Sequence, residues 1–185
     1  MTEAVATRSD ELPEPLVDTP LAFEPGRLAD PRVAGAIELI WHEAKLLDDK
    51  NYEQWETLWA DDGMYIIPID PDATDLSTSL NMVYDDARMR RMRIKRLVEG
   101  YSMSAVAAAR TVRTISRFTV EQLTDDSVTL RSAQVLVGFK RGKFQTLGAD
   151  LTHRINLTGP VPLFELKVVR LVNSDEAVTA SGFLL

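Results

Sequence analysis

Two histidines, His42 and His153, and no cysteine make up this chain's whole supply of imidazole and thiol chemistry. Without cysteine there can be no disulfide, no thiol nucleophile and no cysteine-ligated iron–sulfur cluster in this chain. An iron triad of two histidines and a carboxylate would consume both imidazoles. No metal or cofactor site is therefore expected. His153 is the residue with most chemical promise, because it alternates in phase with Leu147, Ala149, Leu151, Ile155 and Leu157 on one apolar strand face. There it is either a core or interface histidine satisfied by a hydrogen bond, or a general acid–base in an apolar pocket that tunes its pKa. Asp150 stands at an odd offset and faces the other way. His42 follows Glu38 by one helical turn, off the apolar stripe, and reads as a surface residue. Glycine-rich phosphate loops and nucleophile elbows are absent from the sequence.

The densest charge lies between Tyr84 and Tyr101, where Arg88, Arg90, Arg91, Arg93, Lys95 and Arg96 fall within nine positions. Asp85 and Asp86 suit the positive end of a helix macrodipole. Ala87, Ile94, Leu97, Val98 and Tyr101 share one helical face, and Gly100 is placed as a C-cap. The expectation is an amphipathic helix with a basic outer face, either solvated and paired to the chain's own carboxylates or turned to a partner. A net charge of -7 argues against nucleic acid. A second arginine set, Arg113, Arg117, Arg131, Arg154 and Arg170, lies on strands. Solvent exposure or interface ion pairing would explain it.

The elements that position these residues follow from periodicity. A length of 185 residues, with 45% hydrophobic and 26% charged, suits one domain. No apolar run reaches the ~18 residues of a membrane span, and no secretory leader pattern opens the chain, so a cytoplasmic setting is expected. Residues 1–29 carry four prolines and no period, and read as a mobile or partner-wrapping arm. Residues 30–185 form the domain. Asp30-Pro31 starts a helix carrying Val33, Ile37, Ile40, Trp41, Ala44 and Leu47 inward. Asn51 to Gln54 opens a short second helix with Tyr52, Trp55, Leu58 and Trp59. Asp61-Asp62-Gly63 reads as a turn before a strand from Met64 to Ile67, and residues 70–83 as a loop. After the basic helix, strands are expected at 110–121, 128–139, 144–157 and 161–172, with a hairpin at Lys140-Arg141-Gly142-Lys143 and a terminal extension at 178–185. Helices followed by antiparallel strands give an α+β domain.

Several pieces, in order, carry a resemblance. Glu43-Ala44-Lys45-Leu46-Leu47-Asp48-Asp49, then Tyr52, Trp55 and Asp61-Asp62, open the domain. Tyr84-Asp85-Asp86, Met92-Arg93-Ile94, Arg96-Leu97 and Arg110-Thr111-Val112-Arg113 follow. Together they resemble the small β subunit of bacterial aromatic-ring-hydroxylating dioxygenases over about residues 31–173. Two features depart from that pattern: Ala107-Ala108-Ala109 replaces a usual Asp-Pro, and Met92-Arg93-Ile94 replaces a usual Arg-Val. The resemblance implies the cone-shaped fold of nuclear transport factor 2, a strongly curved antiparallel sheet around N-terminal helices, with Tyr65 and Asp62 near the cone's mouth. It implies a non-catalytic structural subunit in a complex of three α and three β chains. The α partner would hold a Rieske [2Fe-2S] cluster and a mononuclear iron and add O2 to an aromatic ring. Arg88, Arg91, Arg93, Arg113 and Arg117 are then interface candidates. Related cone folds include isomerases and dehydratases, so the alternative is a stand-alone enzyme with an apolar pocket around His153.

Overall fold

The computed structural model describes residues 25–102, 109–174 and 183–185. Helix α1 (Pro31–Asp48) begins where the sequence places it. Pro31 takes a first-turn position and the Asp30 side chain accepts from the Arg32 amide at 2.9 Å. Its buried stripe holds Val33, Ala36, Ile37, Ile40, Ala44 and Leu47. Trp41 is half exposed, yet its indole N–H donates to the Ile115 carbonyl at 3.3 Å and its ring meets Phe118 edge-on. In α2 (Tyr52–Glu56), Asn51 caps the Gln54 amide and its own amide donates to Gln54 Oε1 at 2.8 Å. Trp59 points inward as expected, but from the first residue of strand β1 (Trp59–Pro68) rather than from the helix.

The expected turn at Asp61-Asp62-Gly63 does not exist. β1 runs straight through it, and the ladder slips between Trp59 and Met64. Gly63 sits so close to its neighbour that a Cβ would lie 2.8 Å from the Phe164 carbonyl oxygen. The Asp-Asp-Gly run thus serves a bulge, where an unpaired residue and a close backbone approach favour the same composition as a turn. Strand β2 (Asn81–Asp85) takes in Asp85, so Asp86 alone caps α3 (Ala87–Ser102), accepting from the Met89 amide at 2.7 Å. Gly100 does not end α3, which continues to Ser102. Of Ala107-Ala108-Ala109, the first two lie outside the described residues, while Ala109 is buried.

Strands β3 (Arg110–Leu123), β4 (Ser127–Lys140), β5 (Lys143–Asn156) and β6 (Leu163–Leu171) form an antiparallel meander. Arg141 and Gly142 both take positive φ, the two-residue turn that matches strand twist. The sheet order is β2-β1-β6-β5-β4-β3. One expectation needs correcting: the sheet is mixed, because β1 pairs with β6 in parallel. Strand periodicity identifies strands but carries no information about which edge the first one joins. The inner face presents Ile115, Leu130, Leu136, Leu147, Leu151, Ile155 and Val169 to α1 and α2. A smaller outer cluster, Ile66, Leu166 and Val168, is covered by Leu76 of the 69–80 loop.

Residues 1–24 of the expected arm lie outside the described residues. Arg27–Ala29 form a short 3-10 helix whose Arg27 guanidinium reaches the Val120 carbonyl, so the folded domain begins before Asp30. Of the expected terminal extension, 178–182 lies outside the described residues, while Phe183, Leu184 and Leu185 are buried in the core.

Candidate functional site

Positions 36, 40, 43 and 47 recur at helical spacing, so α1 drives Glu43 inward with Ala36, Ile40 and Leu47. Its side chain is fully buried. Lys167 Nζ from β6 and Trp55 Nε1 from α2 both donate to Glu43 Oε1 at 2.9 Å. The other oxygen, Oε2, lies 3.8 Å from His153 Nε2 and makes no hydrogen bond among the described residues. His153 and Lys167 are cross-strand neighbours on β5 and β6, which is why both meet Glu43.

His153 is fully buried on the face its alternation predicts, tilted against the Phe164 ring. Neither ring nitrogen has a hydrogen-bond partner among the described residues. The described residues therefore supply no satisfying hydrogen bond to it. Burial, helped by the Lys167 charge, holds its pKa well below the ordinary 6.5, so the ring is neutral. Acid–base chemistry on a substrate would need an open pocket, and the imidazole is enclosed by Glu43, Lys167 and Phe164. Burial likewise lowers the pKa of Lys167, with Glu43 opposing, and raises that of the Tyr65 hydroxyl. Tyr65 is not at the cone's mouth but inside it, bonded to the Leu185 main chain at 3.0 and 3.1 Å. Asp62 is exposed, and so is His42, as its spacing predicts.

The strand arginines divide by face. Arg113 is a correction. It points into the cone, where Nε meets Asp48 at 3.0 Å and a guanidinium N–H reaches the Leu184 carbonyl at 3.1 Å. With its side chain 1% exposed it offers nothing to a partner directly. Arg117 stays outside at a bulge with φ 57° and pairs with Asp150, which faces outward as its offset predicts. Arg131 pairs with Glu121, and Arg170 donates to the carbonyls of Pro71 and Ala73, pinning the loop over the sheet. Arg117, Arg131, Arg170 and Asp150 line an outer cleft of about 710 Å³.

Helix α3 is likewise less uniformly basic outside than its sequence reads. Arg90 is buried, stacked over Trp59 at 4.3 Å, bonded to Glu56 at 3.2 Å and to the Gly63 carbonyl at the bulge. Arg93 makes a two-point pair with Asp85, one contact being 2.9 Å. Ile94 is buried, whereas Val98, expected on the apolar face, is half exposed. Arg88, Arg91, Lys95 and Arg96 remain outward, with Arg91 3.5 Å from Glu56.

Sequence reasoning missed Glu43 and Lys167 as site residues. A signal was present, since each is a charge of opposite sign standing on an apolar face, and such charges are almost never fully buried unless paired. No three His, Cys, Asp or Glu side chains come together to hold a metal among the described residues, and the sequence has no cysteine. The residues present do not fit a Rieske cluster or an iron triad.

Comparison with known proteins agrees with this architecture. The small oxygenase component of the p-cumate 2,3-dioxygenase system of Pseudomonas putida is 28% identical over 120 residues, 64% of this chain and 67% of that protein. The β subunit of benzoate 1,2-dioxygenase from Burkholderia mallei superposes with a TM-score of 0.70 at 21% identity, covering 82% of this chain and 97% of that one. Naphthalene 1,2-dioxygenase gives 0.66 at 16% identity, with 84% of each chain covered. An NTF2-like protein with a cystatin-like fold from Novosphingobium aromaticivorans gives 0.56 at 15% identity over 83% of this chain and 90% of that one, so the α+β cone is as expected. The model of the ring hydroxylating beta subunit family matches residues 42–175, and the chain belongs to that family.

Proposed function

We propose that this chain is the structural β subunit of an aromatic-ring-hydroxylating dioxygenase, organising an oligomer with an α subunit that carries out the chemistry. The observation that carries this reading is the outer sheet face. Val112 on β3, Val135 on β4, Phe144 on β5 and Val172 just beyond β6 are all at least half exposed. Together with Val137 and Phe139 they form an apolar stripe that a soluble monomer would cover. The Arg117–Asp150 pair on the same sheet face supplies polar contacts of an interface rim, and exposed Arg88 and Arg91 on α3, which packs near β1 and β2, offer a separate basic surface.

The α partner would hold the Rieske cluster and the mononuclear iron, for which this chain's residues are unsuited. Its substrate class is aromatic, as in the p-cumate, benzoate and naphthalene systems of the relatives. A trimer of this chain within the complex and a cytoplasmic setting belong to the same reading. No helix among the described residues is long and apolar enough to cross a membrane.

Native mass spectrometry tests this. Co-expression with the α subunit of a ring-hydroxylating dioxygenase should give a mixed complex with equal numbers of both chains and iron only in the larger one. A homo-oligomer that ignores the large chain would overturn the proposal. Arg88→Glu with Arg91→Glu should weaken assembly at matched salt. These two are preferable to Arg93→Glu, which would also break the pair with Asp85.

A further inference from the structure

The 69–80 loop lies over the outer face of the sheet, and between them opens the cleft of about 710 Å³ that Arg117, Arg131, Asp150 and Arg170 line. A space of that size is typical of a small-molecule site. Two of its three guanidiniums have carboxylate partners: Arg117 pairs with Asp150 and Arg131 with Glu121. Arg170 has no carboxylate partner among the described residues. Asp150 stands directly opposite it in the β5–β6 ladder, yet turns its carboxylate to Arg117. Arg117 reaches across from the bulge that interrupts β3 between Ser116 and Thr119, with a φ of 57° that few non-glycine residues adopt. Arg170 instead donates from Nε to the Pro71 carbonyl at 3.1 Å and from Nη2 to the Ala73 carbonyl at 3.3 Å. Those two bonds use the side edge of the guanidinium. Its far end, formed by Nη1 and the second Nη2 hydrogen, has no partner among the described residues. Burial, helped by the Arg131 charge, disfavours the charged form of Arg170, and the carboxylates of Glu121, Asp150 and Asp72 oppose this without cancelling it.

We propose that this cleft binds a small monocarboxylate, seated end-on across Nη1 and Nη2 of Arg170. A carboxylate matches that fork with two parallel hydrogen bonds. The charge count sets the class. With Arg117 and Arg131 already matched, one cation is left to neutralise. A phosphate dianion would bring a second negative charge close to Asp150 and Asp72, which line the same cleft. Pro71, Ala73 and Val172, the last 76% exposed, give the ligand an apolar wall, so an acid with a hydrocarbon body is favoured. Binding here needs only this chain, so it holds or fails whatever an α partner does.

The probe is cyclohexanecarboxylate, titrated into the full chain at constant ionic strength and followed by ligand-observed NMR, with cyclohexanecarboxamide as its neutral match. The acid should bind saturably and the amide about tenfold more weakly, the scale of one charge-assisted hydrogen bond. Arg170→Lys keeps the charge but loses the fork, and should weaken the acid by about tenfold. Asp150→Asn removes a negative charge beside the site and should tighten acid binding several-fold, a gain that a damaged fold would not produce. Inorganic phosphate should bind more weakly than the acid. Absence of saturable binding, equal binding of acid and amide, unchanged acid affinity in either variant, or tighter binding of phosphate overturns the proposal. Arg170 also holds the loop, so if Arg170→Lys does not fold, Asp150→Asn and the phosphate comparison decide the same question on a folded chain.

Discussion

Lys167→Met is the perturbation whose outcome follows most directly from the structure. The side chains of Lys167 and Glu43 are 1% and 0% exposed and meet at 2.9 Å. Methionine keeps most of the lysine stem's volume, so little is lost in packing and the change falls on the charge. Glu43 is left as a buried carboxylate with only the Trp55 indole N–H on Oε1, and breaking one side of a buried pair costs about 3–5 kcal/mol. For a chain of this size each kcal/mol moves Tm by about 2–4 °C, so the expected drop is roughly 6–20 °C. Adding Glu43→Gln should restore most of it. The amide oxygen still accepts from Trp55, and a buried ion pair replaced by neutral groups of similar volume is often near neutral in stability. Urea unfolding of wild type, both single variants and the double variant closes the cycle. A Lys167→Met cost below about 1 kcal/mol, or single costs that simply add in the double variant, would refute the claim that the two charges hold each other in the core.

Other predictions rest on separate contacts. The His153 pKa is lower folded than its ordinary 6.5, so below that pH the unfolded state takes up a proton that the folded state refuses. Stability should therefore be full above 6.5 and fall as pH drops below it, by up to about 1.4 kcal/mol per pH unit from this group. His153→Gln should lose that part of the slope, and a wild-type-minus-variant difference independent of pH would contradict it. Gly63→Ala should destabilise by about 1–3 kcal/mol, because its Cβ would meet the Phe164 carbonyl at 2.8 Å; a neutral result in thermal unfolding would show that the bulge yields. Phe144→Ser should leave monomer stability almost unchanged, since the ring is 76% exposed, while weakening self-association in sedimentation equilibrium.

The sequence alone was enough for the helix starts, the four long strands and the position of His153 on the inner face. Each depends on local rules: Asp30-Pro31 caps by its own geometry, Arg141-Gly142 turns by its own φ preference, and alternation of period two fixes a face. It was also enough to exclude a cysteine-ligated Rieske cluster from this chain, since the sequence has no cysteine. Tertiary structure decided what depends on partners far apart in the chain. Asp61-Asp62-Gly63 has the composition of a turn but lies in a strand, because β6, about a hundred positions later, pairs across it. Six basic residues on α3 look alike in sequence, yet Trp59, Glu56 and the Gly63 carbonyl bury Arg90, while Arg88 and Arg91 meet solvent. Glu43 and Lys167 are 124 positions apart, and only the curled sheet makes each the reason the other can be buried. A charge on an apolar face poses a question that the sequence can state, but its answer lies in which opposite charge the fold brings to it.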